Sequence, residues 1–501
     1  MKLALAAAFI VAFSVFIPVH FVEAGIITVN DDGTADYTSI QDAVNAAEDG
    51  DTIYVYGGYY NESVFVDKKL HFIGIEEKGI LPKVMGQQSY AFYFTSPCTL
   101  QNFVIFQQKG NAIQIFNCGN ITIKNSEIVA ETGIYMENTT FCIIERNEIK
   151  TSTYGIYLYA SDKNEIKNND VDSSFLAFYS LSSANNTISY NNLSGISMEY
   201  SEENMVMNNV VENFDIMNSE NVYVFNNSIG RLNLLYAMVI HVVNNSFEKG
   251  IFIFGNIRNW NTHIIENNRV KNSKILYYRD EKNLAIDGND ATQLILANCS
   301  DCKIYGIDFH FAERHVQIAF SENIKISNCS FSNAFIAVDV MNSQYIFLDN
   351  NIFLSNDISF RAFNCSKIVV RNNNFSYNGR AIYLEKTVEN MIEKNMFMGN
   401  SFAIHLYSSK NSRIFRNNII KNENGVYFEE AFINIIVNNN FIGNERDTFL
   451  ENSLPNIFMR NYWSKWILPA PKPILCHIII MWYIHIPYFT LDLMPRLIPV
   501  C

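Results

Sequence analysis

The chain has 501 residues, nearly half of them hydrophobic and 17% charged. That composition excludes a disordered chain and supplies material for a large core. Its 50 Asp and Glu against 37 Lys and Arg leave a net charge near −13, which speaks against nucleic acid and anionic membrane surfaces as partners.

The first predicted element is an export signal. Lys2 precedes an apolar run from Leu3 to Val22, and Val22-Glu23-Ala24 offers a small-residue cleavage site. Residues 1–24 are therefore expected to act as a signal peptide, or as an uncleaved anchor, and the remainder to be secreted or displayed at the cell surface. About eleven Asn-x-Ser/Thr sequons, including Asn120, Asn138, Asn328 and Asn364, permit a glycoprotein. Nine cysteines form no paired metal-ligand pattern, and Cys299 with Cys302 reads as turn residues or a local disulfide.

A short helix follows. In "YTSIQDAVNAAEDGDTIYVYGGYYNESVFV", Ile40, Ala43, Val44 and Ala47 share one face, and Ser39 with Asp42 has the spacing of a capping box. Ile53 and Val55 then begin the first strand. Residues 25–75 are assigned as an N-terminal cap with its first coil.

From there to about residue 455 one phrase recurs. Short runs with period two, rich in Ile, Val, Phe and Tyr, alternate with Asn-rich corners. The corners fall at Asn125, Asn147, Asn168, Asn191, Asn208, Asn226, Asn244 and Asn267. After looser copies near Gly288 and Gly306 they resume at Asn328, Asn350, Asn372, Asn395, Asn417 and Asn438. Most steps are about 22 residues, a period that marks a repeat architecture. The units lack a Leu-x-x-Leu-x-Leu consensus, and they are too short and too β-rich for helical repeats. Stacked coils would bury every inward Ile and Phe and pair each strand with its copies above and below. The expected fold is all-β, a single-stranded parallel β-helix of about eighteen coils near 85 Å long, running without interruption from Ile26 to Leu454. Asn suits the corners because it tolerates left-handed backbone and can hydrogen-bond from coil to coil.

The segment from Tyr37 to Gly74, with Gly58, Tyr60, Glu62 and Val64, resembles the N-terminal cap of pectin-lyase-like β-helices. Residues 456–501 form a closing segment. There "NYWSKW" (461–466), "PKPI" (471–474), "IPY" (486–488) and Asp492 with Pro495 resemble the end of NosD-like, right-handed β-helix surface proteins of prokaryotes. Lys465 departs from that pattern, where an acidic residue commonly follows the Ser. The resemblance, with the general preference of parallel crossovers, implies a right-handed helix. The apolar tail from Ile474 to Phe489 reads as a cap on the last coil, with membrane contact through either terminus as the alternative.

Where alternate residues face a core, the residue between them faces outward. This yields a column Gln317, Asp339, Arg361, Tyr383, His405 and Tyr427, each 22 residues from the next, and a second column Gln114, Tyr135, Tyr157 and Tyr179. Aromatic and hydrogen-bonding groups in such a line suit an extended sugar chain, and the pectin-lyase-like resemblance places a substrate groove on one such sheet. The same column also suits a ladder of cross-strand pairs that binds nothing. The nearest catalytic grouping is Asp339, Arg361 and His405 with Asp308, His310, Arg314 and His315 from the preceding coil. The polygalacturonase set and the epimerase Asp-Pro-His-Asp motif are absent from the sequence. The NosD resemblance implies an association with copper-site assembly, for which Met205/Met207 or Met396/Met398 would be the soft ligands. Alternate Met in a strand reads more simply as core filling. No cofactor is expected, calcium and copper being the alternatives. The favoured function is a monomeric, secreted or surface β-helix that binds an extracellular polysaccharide. The alternatives are a polysaccharide lyase, hydrolase or esterase, and a structural or copper-accessory surface protein.

Overall fold

The computed structural model describes residues 24–288, 291–468, 470–480 and 484–499, so the expected signal segment lies almost wholly outside the described residues. The chain is a parallel β-solenoid of about 20 turns, with two short helices among the described residues. A typical coil has a three-residue strand such as Ile143–Glu145, a corner, and a longer strand such as Glu148–Tyr159. The central residues stack in register, Ile123 on Ile144, Ile166, Ile188, Val206, Val224, Val242 and Ile265. All lie in the core. In the C-terminal coils a third, short strand adds a file of rings. Phe331, Phe353, Phe375 and Phe397 stack with centroids 4.6–5.0 Å apart, which is the spacing of the strands themselves.

The corners contain two Asn roles that the sequence reading had merged. One is a left-handed residue, such as Asn168, Asn208, Asn226, Asn350 or Asn372, with φ between 55° and 58°. The next residue is a buried Asn that bonds to its copies above and below. Asn147, Asn169, Asn191, Asn209, Asn227, Asn245 and Asn268 form one such file. Asn351, Asn373, Asn395, Asn417, Asn439 and Asn461 form another. Where the buried position is Asn147, Asn191, Asn395 or Asn417, the left-handed residue is Arg146, Tyr190, Lys394 or Arg416. The buried side chain satisfies groups of three successive coils. Asn395 donates to the Val370 carbonyl (2.8 Å) and to Asn417 Oδ1, and its own Oδ1 accepts from the Asn373 backbone and amide. Asn395→Ala should therefore orphan several buried groups and lower stability by about 2–4 kcal/mol, measured as the urea midpoint.

Cysteines share these sites. Cys142 and Cys329 each donate a backbone N–H into an Asn file, and Cys365 stands in the Ser321–Ser343 file. The eight described cysteines are free, so Cys299 and Cys302 form no local disulfide.

Both ends are closed. The helix Ile40–Ala46 covers the first coil, with Ser39 accepting from the Asp42 N–H. The rest of its capping comes from the first coil rather than from Asp42. Glu62 accepts from the Ile40 and Gln41 N–H groups, while the Lys68 ammonium donates to the Val44, Asn45 and Ala47 carbonyls. At the other end an antiparallel hairpin, Lys472–Ile480 with Ile484–Asp492, pairs onto the last coils through Cys476 and Asp492. Asp492 is fully buried and accepts from the Asn461 backbone, the Asn461 amide and the Trp463 indole.

Among the described residues the expected unbroken ladder is interrupted between the two halves. The short-strand file of the first half ends at Ile264–Glu266, and Arg269–Val270 turns back antiparallel onto Ser273–Lys274. A new file starts at Ala285–Asp287, and the buried apolar residues fall into two clusters, one per half. Strand Ala291–Ala297 is buried on both faces. Leu294 and Leu296 enter the second core, whereas Ile295 and Ala297 face the first. The open edge of strand Ser246–Phe254, where another coil would have paired, is met by side-chain amides. Gln293 accepts from Ile251 N–H and donates to its carbonyl, and Gln317 bonds the Ile251 carbonyl and the Ile253 N–H. Two glutamines thus do for that edge what a next strand would do. The break falls among the looser repeats, where glycine takes the left-handed station at Gly288 and Gly306 and Ile307 follows Gly306 in place of a corner Asn. Two rods result, the end of the first resting on the side of the second.

Candidate functional site

The first outward file keeps the expected register. Tyr93, Gln114, Tyr135, Tyr157 and Tyr179 are direct cross-strand neighbours, and the file continues through Ser197, Asp215 and Asn233 to Phe252. The rings touch. Tyr135 meets Tyr157 edge-on at 5.2 Å, and Tyr157 lies 4.9 Å from Tyr179. Tyr154, three residues earlier on its strand, stacks on Tyr179 at 5.4 Å. The sequence reading missed it, although a tyrosine three residues before Tyr157 was the available signal. A shelf of half-exposed rings results. Its hydroxyls are bound by acids, Tyr135 to Glu137 (2.7 Å) and Tyr179 to Glu199 (2.9 Å). Burial among the rings, and then these carboxylates, push both phenols above their usual range.

Beside the shelf lies an open cleft of about 690 Å³ that the sequence did not reveal. It forms where the long strands bulge just before the shelf residues, at the register shift between Ala130 and Thr132. Gln87, Gln88, Gln107, Lys109, Glu131 and Ser152 line it. Gln107 is nearly fully buried and donates to the Gln88 carbonyl. Glu131 accepts from the Gly110 N–H.

The second outward file also has the expected register, Gln317 to Asp339, Arg361, Tyr383, His405 and Tyr427, and it continues to Phe449. The expectation that it faces solvent throughout is corrected. Gln317, Asp339 and His405 are buried. Gln317 is committed to Ile251 in the junction between the rods. Arg361 holds Asp339 in a bidentate pair, with both contacts at 2.8 Å, and Arg314 lies 3.6 Å away on the other side. Arg314 in turn lies over the Phe252 ring at 4.1 Å, so the end of the first rod covers this pair. His405 is enclosed by Tyr383 and Tyr427, 4.9 and 4.6 Å away.

The grouping weighed as catalytic does not assemble. His315 points into the core and stacks on Phe309 and Phe331. His310 packs against Phe311, and its ring bonds the Asp308 carbonyl. His405 stands two rungs from Arg361. A carboxylate shared by two guanidiniums and closed from water has no path to a substrate proton. What remains accessible is the far end, where Tyr427, Phe449, Phe402, Asn424 and Arg446 border a groove of about 410 Å³.

A family model described as a right-handed beta helix region matches residues 22–171, 86–229 and 132–291, together more than half of the chain. The protein belongs to that family, and its solenoid is right-handed. A second model, periplasmic copper-binding protein (NosD), matches residues 282–467. The two models meet at the break between the rods. Among solved structures, the pectin methylesterase of Erwinia chrysanthemi is 9% identical over 40% of this chain and 89% of its own, with a TM-score of 0.27. The carrot enzyme is 12% identical over 49% and 83%, TM-score 0.26. The mannuronan C-5 epimerase A-module of Azotobacter vinelandii is 12% identical over 81% and 91%, TM-score 0.20. Similarity at this level carries no functional information. No curated protein matches the chain at a significant level.

The described His, Cys, Asp and Glu residues form no site that fits copper. Met205, Met207, Met396 and Met398 prove to face outward, with Val206 and Phe397 facing in, which also corrects their reading as core filling. No group of three His, Cys, Asp or Glu stands in metal-binding proximity among the described residues. The soft thiols are buried at ladder positions, and burial raises the Cys365 thiol to about 12, opposing the thiolate a metal requires.

Proposed function

We propose that the protein is an exported β-helix that binds carbohydrate on the tyrosine shelf of its first rod. The carrying observation is the joining of Tyr135, Tyr154, Tyr157 and Tyr179 into one aromatic surface, with a cleft of mixed polar and apolar lining on the same strands. Sugar faces stack on such rings, and the Gln87 amide with the Glu131 carboxylate offers partners for hydroxyls. Export is supported by the N-terminal sequence and by the periplasmic description of the matching family. The second file contributes less to this reading, because only Arg361, Tyr383 and Tyr427 of its proposed contacts keep exposed surface.

A glycan array followed by titration tests the proposal. Tyr157→Ala should weaken binding of the selected glycan about tenfold, since a ring stack is worth about 1 kcal/mol or more. Its thermal midpoint should move little. Absence of any glycan binding, or binding that survives Tyr157→Ala unchanged, would remove the function and leave the fold.

A further inference from the structure

Terminal coils of solenoids need a polar outer face to remain soluble. The closing hairpin here has the opposite. Its inner side places Ile474, Cys476 and Asp492 on the last coil. Its outer side presents Pro473 opposite Leu491 and Leu475 opposite Phe489, all exposed, with Phe489 at 65%. Leu493, Met494, Leu497 and Ile498 of the following segment are exposed as well, Ile498 at 75%. From Pro473 to Leu491 the sequence holds no Lys, Arg, Asp or Glu. Neighbouring exposed apolar side chains of this kind mark an interaction surface.

Charge distinguishes the occupant. The chain as a whole is acidic, but from Asn452 to the last residue its only acid is Asp492, buried beneath Asn461 and Trp463. Arg460, Lys465, Lys472 and Arg496 lie in the same segment, and Arg460 and Arg496 are exposed. Two acids of the last coil stand against the hairpin's inner strand, Asp447 pairing with Lys472 at 3.5 Å and Glu451 lying across from His477, which leaves Arg460, Lys465 and Arg496 as the exposed charged side chains of the closing segment. An exposed apolar segment that carries two exposed arginines and no exposed acid matches an anionic lipid surface, where apolar side chains enter the acyl boundary and Arg meets headgroups. We propose that the C-terminal hairpin docks the protein on an anionic bilayer, by surface contact and not by spanning it. The net charge of the whole chain had argued against such a surface, and its uneven distribution overturns that argument.

The test is sedimentation of the full chain with phosphatidylcholine vesicles, with and without phosphatidylglycerol. Binding should require the anionic lipid and fall with added salt. Leu475→Ser with Phe489→Ser should lower the bound fraction at least about tenfold. Ile498→Ser, beyond the last strand, provides a variant that leaves the hairpin ladder untouched and should lower binding a few-fold. Arg460→Glu with Arg496→Glu should abolish the preference for anionic vesicles. Failure to bind, equal binding to neutral vesicles, or a dimer in sedimentation equilibrium that the same Leu475 and Phe489 substitutions dissociate would overturn the proposal.

Discussion

Acidification from about pH 7 to about pH 5 is expected to weaken the fold by several kcal/mol, through three buried histidines. Burial lowers His263 to about 4, and lowers His315 and His405 to about 3. Unfolded, each binds a proton near pH 6.5, so the unfolded chain gains protons first as pH falls. Their contribution is complete above pH 6.5 and is lost progressively down to the folded values. At pH 5 each group gives up about 2 kcal/mol. His263 is held neutral by geometry, because Nδ1 accepts from the Ile240 N–H while Nε2 faces the Asn259 carbonyl at 2.6 Å. His405 should contribute least, since Glu429, 3.6 Å away, can partner its charged form. Urea midpoints at the two pH values measure the effect. His315→Phe, which keeps a ring beside Phe309 and Phe331, should remove its share of the pH dependence. An unchanged midpoint across this range would show that the histidines are hydrated.

Replacing Asp339 by Ala should destabilise the second rod by about 3–5 kcal/mol, because it leaves the largely buried Arg314 and the partly buried Arg361 without their carboxylate. Had Asp339 been exposed, the same change would have cost at most about 1 kcal/mol. Its full burial, the bidentate Arg361 contact and the nearby Arg314 distinguish the two cases. Asp339→Asn should lie between them, since an amide accepts from Arg361 but leaves the positive charge unbalanced. Chemical denaturation followed by circular dichroism measures all three, and a loss near 1 kcal/mol for Asp339→Ala would mean that water reaches the pair.

The contrast shows what alternation in a strand encodes. It fixed which residues stand beside which, so that Asp339 was placed against Arg361 and Tyr135 against Tyr157 from the repeat alone. It carries no information on what later covers an outward residue. Gln317 and Asp339 leave the core face of their strand as expected, yet the first rod covers them, and the break that brings it there falls among the least regular repeats. The tyrosine shelf escaped such covering. Its cleft was invisible for a related reason, since a bulge at Ala130 changes the path of the backbone without changing the period of side chains. The paired Asn roles were half legible. Adjacent Asn at 208–209 or 226–227 signalled a corner, but only coil-to-coil distances separate the strained residue from the bonded one.

Asp492 has a further meaning for where a file of buried amides ends. Each buried Asn accepts through its oxygen from the coil before and donates through its nitrogen to the coil after, so the file has a direction. An aspartate at the same station accepts from Asn461 and has nothing to pass on. The single exchange of an amide for a carboxylate therefore ends the file of side-chain bonds inside the rod. An amide in its place, as in Asp492→Asn, would set a donor at a fully buried station, where it needs an acceptor that the carboxylate does not.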